Sequence, residues 1–217
     1  MSVEIESLIN GYHLFRKKYF SKDNKHYERL VKYGQKPNFL VIACSDSRID
    51  PALLLSCEPG DLFVVRNVAN LIPPYEIDSG YHSTSAALEF GICSLGIKNI
   101  LVLGHTQCGG IANMLEIKKQ PALKESFIAK WMELANMACS NAINSCNHLS
   151  KEEQVDQCGR YAMVGSLKNL LTFPWILDRV NSGALEIHLW NFDLKRGILE
   201  VYNKEQNQFL HFSQLPS

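Results

Sequence analysis

No surplus of charge marks this chain: Lys plus Arg and Asp plus Glu each number 22, for a formal net charge of +0. Without a global field of either sign, it has no electrostatic footprint for nucleic acid or for an acidic membrane surface. The short basic run Arg16-Lys17-Lys18 reads as a solvated helix face. Long apolar runs are missing as well, none approaching the ~20 residues of a membrane-spanning helix. The opening Met1-Ser2-Val3-Glu4-Ile5-Glu6 lacks the basic-then-apolar order of a secretory signal, so the expected location is the cytoplasm. Internal repeats, low-complexity tracts and Pro/Gly/Ser linkers are also absent, which makes one domain the simplest organisation of 217 residues. The 7 cysteines do not show the dense, regular spacing of a disulfide scaffold. In a reducing compartment they are core residues, metal ligands or nucleophiles.

What is present reads as an α/β domain. Residues 3 to 34 are polar and helical, with Ile5, Leu8, Ile9, Tyr12 and Phe15 at helical spacing, until Gln35-Lys36-Pro37 breaks the pattern. This N-terminal arm (1–34) precedes an α/β core (35–217). The runs Phe39 to Ala43, Leu62 to Val65 and Ile100 to Leu103 are continuous rather than alternating, as strands covered on both faces of a parallel sheet must be. Thr84 to Leu95 supplies a crossover helix through Ala87, Leu88, Ile92 and Leu95. A long helix is expected from Pro121, with Phe127, Ile128, Trp131, Leu134, Ala135 and Ala138 on one face. Ser150 and Glu153 form a capping-box pattern for the next helix, and Pro174 fits the first turn of another. Leu185 to Trp190 and Ile198 to Tyr202 read as strands joined by a turn at 193–197. The fold class is a mostly parallel central sheet flanked by helices.

Two turns carry the chemistry, each directly after a buried strand: Cys44-Ser45-Asp46-Ser47-Arg48, and Gly104-His105-Thr106-Gln107-Cys108-Gly109-Gly110. Ligands of open α/β sheets bind just outside the carboxyl ends of the strands. If the two strands are neighbours, Cys44, His105 and Cys108 converge there. Two thiolates and one imidazole make a zinc first shell with the fourth position open, the arrangement of a catalytic site. Two other readings of these residues stand beside it. Cys44 at a strand end is also a small buried residue or a nucleophile of a phosphatase-like loop, although Arg48 follows closely and no glycine-rich turn intervenes. Cys57, Cys93, Cys139, Cys146 and Cys158 lack ligand-type partners at suitable spacing and read as structural.

Those two turns, in that order and separation, resemble the paired motifs of the β-class carbonic anhydrases. The run from Glu58 to Asn70 is similar to the segment that family carries between them, and the likeness is clear from Pro37 to Leu115. The resemblance implies zinc held by Cys44, His105 and Cys108, and reversible hydration of carbon dioxide to bicarbonate and a proton. It assigns Asp46 to orient a zinc-bound hydroxide and Arg48 to clamp Asp46 by a charge-assisted pair. In the family's closed state this aspartate takes the fourth zinc position itself. The resemblance places Phe63, Val68 and Phe90 along the substrate pocket, and has Gln35 donate to substrate across a subunit interface. Val41 stands where a bicarbonate-regulated bacterial subgroup carries tryptophan, so plant-like behaviour with an open resting site is expected. A homodimer or larger homo-oligomer is implied, with the N-terminal helices embracing the neighbour. Rival expectations are a hydrolase of carbon disulfide or carbonyl sulfide on the same scaffold, and a non-catalytic zinc-binding homologue.

Overall fold

The structure is a computed structural model that describes residues 2–117, 126–146 and 148–214. The chain divides into two compact units, Met1–Lys36 and Pro37–Ser217.

In the first unit the expected single helix over 3–34 is two helices, α1 (Val3–Tyr19) and α2 (His26–Tyr33). The break falls at the polar stretch following Phe20, where Asn24 Nδ2 donates to the Lys18 carbonyl and Asn24 Oδ1 accepts from the His26 N–H. Such local side-chain bonds offer the backbone an alternative to continuing the helix. Acidic Glu4 and Glu6 open α1 and basic Arg16, Lys17 and Lys18 close it, complementing its dipole. Phe15 and Phe20 meet Tyr27 of α2 with ring centroids 5.7 and 4.9 Å apart. No residue of α1 is buried, and Leu8, Tyr12 and Leu14 are exposed.

In the second unit the described residues form a six-stranded sheet in the order β2-β1-β3-β4-β5-β6. The strands are β1 (Phe39–Cys44), β2 (Leu62–Asn67), β3 (Asn99–His105), β4 (Glu186–Asp193), β5 (Ile198–Asn203) and β6 (Gln208–His211). The first four pair in parallel, while β5 and β6 run antiparallel at one edge. Alternate side chains of the buried strands feed two cores. Val41, Ala43, Leu101 and Leu103 pack on one face, and Leu40, Ile42, Ile100 and Val102 on the other. Each such aliphatic side chain contributes about 1.5–3 kcal/mol on burial, which is why these runs carry no polar residue.

The helices of this unit are α3 (Pro51–Leu54), α4 (Ser83–Glu89), α5 (Gly109–Ile117), α6 (Phe127–Ser145), α7 (Lys151–Leu170) and α8 (Pro174–Asn181). Ser150 and Glu153 close the expected capping box on α7, and Pro174 opens α8. The crossover helix expected over 84–95 is interrupted: α4 gives way at Phe90–Ser94 to a π-helical turn, closed by the Leu95 N–H on the Phe90 carbonyl at 3.0 Å. The expected start at Pro121 lies outside the described residues. On α6 the fully buried line is Met132, Ala135 and Cys139, with Ile128 and Trp131 partly buried against the same core, whereas Phe127 is exposed. The buried stripe therefore begins at Ile128, one residue later than the sequence pattern implied.

Candidate metal centre

Strand β1 is paired in parallel with β2 on one side and β3 on the other. The chain leaves β1 toward β2 and returns across the sheet to β3, so a crevice opens at the carboxyl ends of β1 and β3. Cys44 is the last residue of β1 and His105 the last of β3. Cys108 follows one turn later, immediately before α5. The ligand atoms of Cys44, His105 and Cys108 all lie within 4.8 Å of one another, and all three residues are buried. The strands that the sequence analysis required to be neighbours are neighbours.

Three observations show that this donor set fits a metal ion. Cys44 Sγ and Cys108 Sγ are 3.8 Å apart. Two thiolates at ~2.3 Å from a tetrahedral zinc would stand ~3.8 Å apart. His105 Nδ1 lies 2.8 Å from the Thr106 carbonyl, which can only accept, so Nδ1 carries the ring proton and Nε2 presents a bare lone pair. That Nε2 is buried without a hydrogen-bond partner. An unsatisfied buried acceptor costs free energy, and a cation removes that cost. The thiols complete the picture. A hydrogen bond from Cys108 pushes the Cys44 thiol down, while that same bond, burial and the Cys44 charge push the Cys108 thiol up. Each sulfur's charge disfavours ionisation of the other; a divalent cation would let both ionise.

Asp46 and Arg48 stand beside this group. Arg48 Nε donates to Asp46 Oδ1 at 2.9 Å and Nη2 to Oδ2 at 2.7 Å, a two-pronged fork, and the Arg48 backbone N–H adds a bond to Oδ1 at 3.0 Å. These bonds from Arg48 hold the Asp46 carboxyl well below the usual carboxylate range, against an opposing effect of burial. Asp46 Oδ2 stands 3.9 Å from His105 Nε2, at the edge of the ligand cluster. Arg48 Nη2 also donates to the Gln107 carbonyl at 3.0 Å, tying the first ligand turn to the second.

Several residues with no local motif shape the site. Arg66, a charged residue on β2, donates from Nε to the Cys44 carbonyl at 3.0 Å and from Nη2 to the carbonyls of Asp46 and Ile49 at 2.7 and 2.8 Å. A single arginine inside Leu62–Asn67 was the only sequence signal for it. From α7, Asp156 Oδ1 accepts the Gln107 N–H at 2.6 Å and Glu152 accepts from the Gln107 side chain at 2.7 Å. Gln107 needs this support, since its φ of 55° is uncommon for a residue with a side chain. Lys195 pairs in turn with Glu152.

The remaining expected site residues are dispersed. Val68 sits in a turn against Gly110, where an added Cβ on the glycine would stand 2.6 Å from Val68 Cγ1. Phe63 and Phe90 pack on one another with ring centroids 6.0 Å apart, Phe63 lying against the core of the opposite sheet face. Gln35 is exposed and belongs to the first unit, and Val41 is fully buried within β1.

With this geometry in place, comparison with known proteins is decisive. The family profile described as carbonic anhydrase matches residues 39–199. β carbonic anhydrase 5, chloroplastic, from Arabidopsis thaliana is 41% identical over 174 residues, which cover 80% of this chain and 56% of the relative; the chain thus spans little more than half of that protein's length. The structure of the β-carbonic anhydrase CcaA superimposes with a TM-score of 0.87 at 33% identity, covering 97% of this chain and 92% of that one. A structure from a study of two tetrameric β-carbonic anhydrases of Sordaria macrospora does so with a TM-score of 0.81 at 25% identity, covering 92% and 97%. The buried Cys-His-Cys cluster at the ends of two adjacent parallel strands therefore has a lineage, and the chain belongs to the β-carbonic anhydrase family.

Proposed function

We propose that this protein catalyses the reversible hydration of carbon dioxide to bicarbonate and a proton, with zinc held by Cys44, His105 and Cys108. The β-carbonic anhydrases use zinc, and among the described residues these three are the group able to hold it. The observation that carries the reading is the sulfur pair 3.8 Å apart beside an unpartnered His105 Nε2, with an ionised Asp46 at the cluster's edge. When bound, zinc supplies a Lewis acid that lowers the pKa of water and makes it nucleophilic.

The chain's own groups do the rest. Asp46, kept ionised by Arg48, accepts a hydrogen bond from the attacking water at Oδ2 and turns the oxygen's other lone pair toward carbon dioxide. Arg48 occupies both Asp46 oxygens, which supports an open resting site rather than one closed by the aspartate. Two thiolates donate more charge than imidazoles would, so the working range lies on the alkaline side of neutrality. Val68, in the turn against Gly110, offers apolar surface for a small apolar substrate, whereas Phe63 and Phe90 pack on one another away from this chain's cluster and would line a pocket only from a neighbouring copy. Gln35 donates to the substrate of a neighbouring copy in a homo-oligomer. The exposed apolar residues of α1, and the tetrameric state named for the Sordaria macrospora relatives, support that assembly.

The test pairs metal analysis with stopped-flow carbon dioxide hydration from neutral to alkaline pH. About one zinc per chain and activity rising with pH are expected. Substoichiometric zinc, or no hydration at any pH, would reject the reading. Faster turnover of carbonyl sulfide or carbon disulfide than of carbon dioxide would reassign the substrate.

A further inference from the structure

The first ligand turn folds around a positive charge that the chain itself supplies. Residues 44–50 run from the end of β1 to the start of α3, and the carbonyls of Cys44, Asp46 and Ile49 all meet one guanidinium, that of Arg66. Arg66 stands opposite Ala43 in the parallel register of β1 with β2. Its Nε donates to the Cys44 carbonyl at 3.0 Å, and its Nη2 to the carbonyls of Asp46 and Ile49 at 2.7 and 2.8 Å. The remaining nitrogen, Nη1, faces Asp50 Oδ2 at 3.4 Å. Asp50 Oδ1 meanwhile caps α3, accepting the N–H groups of Ala52 and Leu53 at 3.0 and 3.1 Å. Carbonyl dipoles that converge repel one another, so a turn of this shape needs a cation at its centre.

Two arginines therefore act on Asp46 from opposite ends. Arg48 holds the carboxylate but belongs to the same turn, and leans on the second ligand turn through the Gln107 carbonyl. Arg66 holds the backbone carbonyl and belongs to β2, which is paired along its length with β1. Two backbone bonds assist. The Ser45 N–H reaches the Asn67 carbonyl at 2.9 Å, and the Ile49 N–H closes the turn on the Asp46 carbonyl at 3.2 Å. Neither spans the turn from Cys44 to Ile49 as the guanidinium does.

We propose that Arg66 is a positioning residue for carbon dioxide hydration: it anchors the first ligand turn to β2 and so sets where the Asp46 carboxylate stands beside the ligand cluster. The separation at stake is the 3.9 Å between Asp46 Oδ2 and His105 Nε2. A planar fork of donors lets one side chain serve three carbonyls, which the compact ammonium of lysine cannot do. The inference rests on the reaction proposed above and adds to it a residue that touches neither substrate nor metal.

Arg66→Lys keeps the charge and loses the fork, so kcat/KM for hydration falls about 10–100-fold, the usual effect of losing a group that orients a ligand. Asp50→Asn removes the charge facing Arg66 but keeps the helix cap, and its kcat/KM stays at the wild-type value. Arg66→Ala recovers rate in millimolar ethylguanidinium, which refills the vacated position, and not in ethylammonium. A wild-type rate in Arg66→Lys, an equal fall in Asp50→Asn, or no selective recovery by ethylguanidinium overturns the proposal. Amide hydrogen exchange gives a reading that needs neither metal nor turnover. In metal-free Arg66→Lys the Ile49 amide exchanges about 10-fold faster than in the wild type, while Leu40 to Ile42 of β1 keep their protection. Unaltered exchange at Ile49 overturns the proposal. Should no Arg66 variant fold, the wild type still decides: its Arg66 Nε–H is protected from exchange with water, and free exchange overturns the proposal. A wild type with that protection but without hydration activity rejects the reaction itself, a result distinct from failure of the anchor.

Discussion

Asp156→Ala exposes how much the second ligand turn depends on α7. Asp156 Oδ1 accepts the Gln107 N–H at 2.6 Å, one residue before the ligand Cys108. Deleting the carboxylate strands a partly buried donor, which costs about 1–3 kcal/mol. Because Asp156 is only half-buried, water recovers part of this, and a loss of about 1–2 kcal/mol is expected in urea unfolding. The left-handed Gln107 carries about 1–2 kcal/mol of strain, and with this restraint gone only its bonds with Arg48 and Glu152 oppose it, so the turn loosens and Cys108 is held less firmly. Zinc affinity by chelator competition then falls by about 10–100-fold, the usual effect of losing a group that orients a ligand. Asp156→Asn keeps an acceptor and restores most of both quantities. The pH dependence has a definite sign. Burial pushes the Asp156 carboxyl above its ordinary 3.8, against the Gln107 N–H and Arg160. As pH rises past that ordinary value the unfolded chain loses this proton first, so the folded state binds more protons and its stability falls until the folded group also ionises. In the metal-free protein that decline is present in the wild type and missing from Asp156→Asn. Equal behaviour of the Ala and Asn variants, or zinc affinity within about twofold of wild type in the Ala variant, would refute the reasoning.

Arg48→Gln breaks the fork on Asp46 and the tie to Gln107, so stopped-flow kcat/KM drops about 10–100-fold while atomic absorption finds zinc still bound. Unchanged kcat/KM would count against the positioning role of Arg48. Gly110→Ala forces its new methyl to within 2.6 Å of Val68 Cγ1 and 3.2 Å of Ala69 Cβ, and the overpacking costs about 1–3 kcal/mol in thermal unfolding. Ser150→Ala dissolves the capping box of α7, in which Ser150 Oγ accepts the Glu153 N–H at 3.3 Å and Glu153 accepts the Ser150 N–H at 2.8 Å. It costs about 1 kcal/mol in urea unfolding and leaves the hydration rate unaltered.

The metal ligands were legible because their signals are local: an apolar strand, then a short turn with the donor at its start. The caps of α7 and α8 were legible for the same reason, since Ser150 to Glu153 and Pro174 act within one helical turn. What supports the ligands was not. Arg66 serves three carbonyls on a neighbouring strand's turn, and Asp156 acts from a helix that the sheet brings over the site. Their partners are fixed by crossings and not by spacing, so no window along the chain contains them. Short elements escaped for a different reason. The edge strand Gln208–His211 has too few residues to establish an alternation, and the π-helical turn at Phe90 keeps the apolar positions of an ordinary helix.

Cys44 and Cys108 lie 64 positions apart, and only the parallel register of β1 with β3 brings their turns together. An ion that needs both sulfurs has no comparable purchase on the unfolded chain, so it adds stability by mass action, about 2.7 kcal/mol when free metal exceeds its dissociation constant 100-fold. The midpoint of thermal unfolding thus becomes a gauge of free zinc. On the proposed zinc reading, loss of the metal lowers the folded population as well as turnover, so metal-free chains unfold more readily than loaded ones.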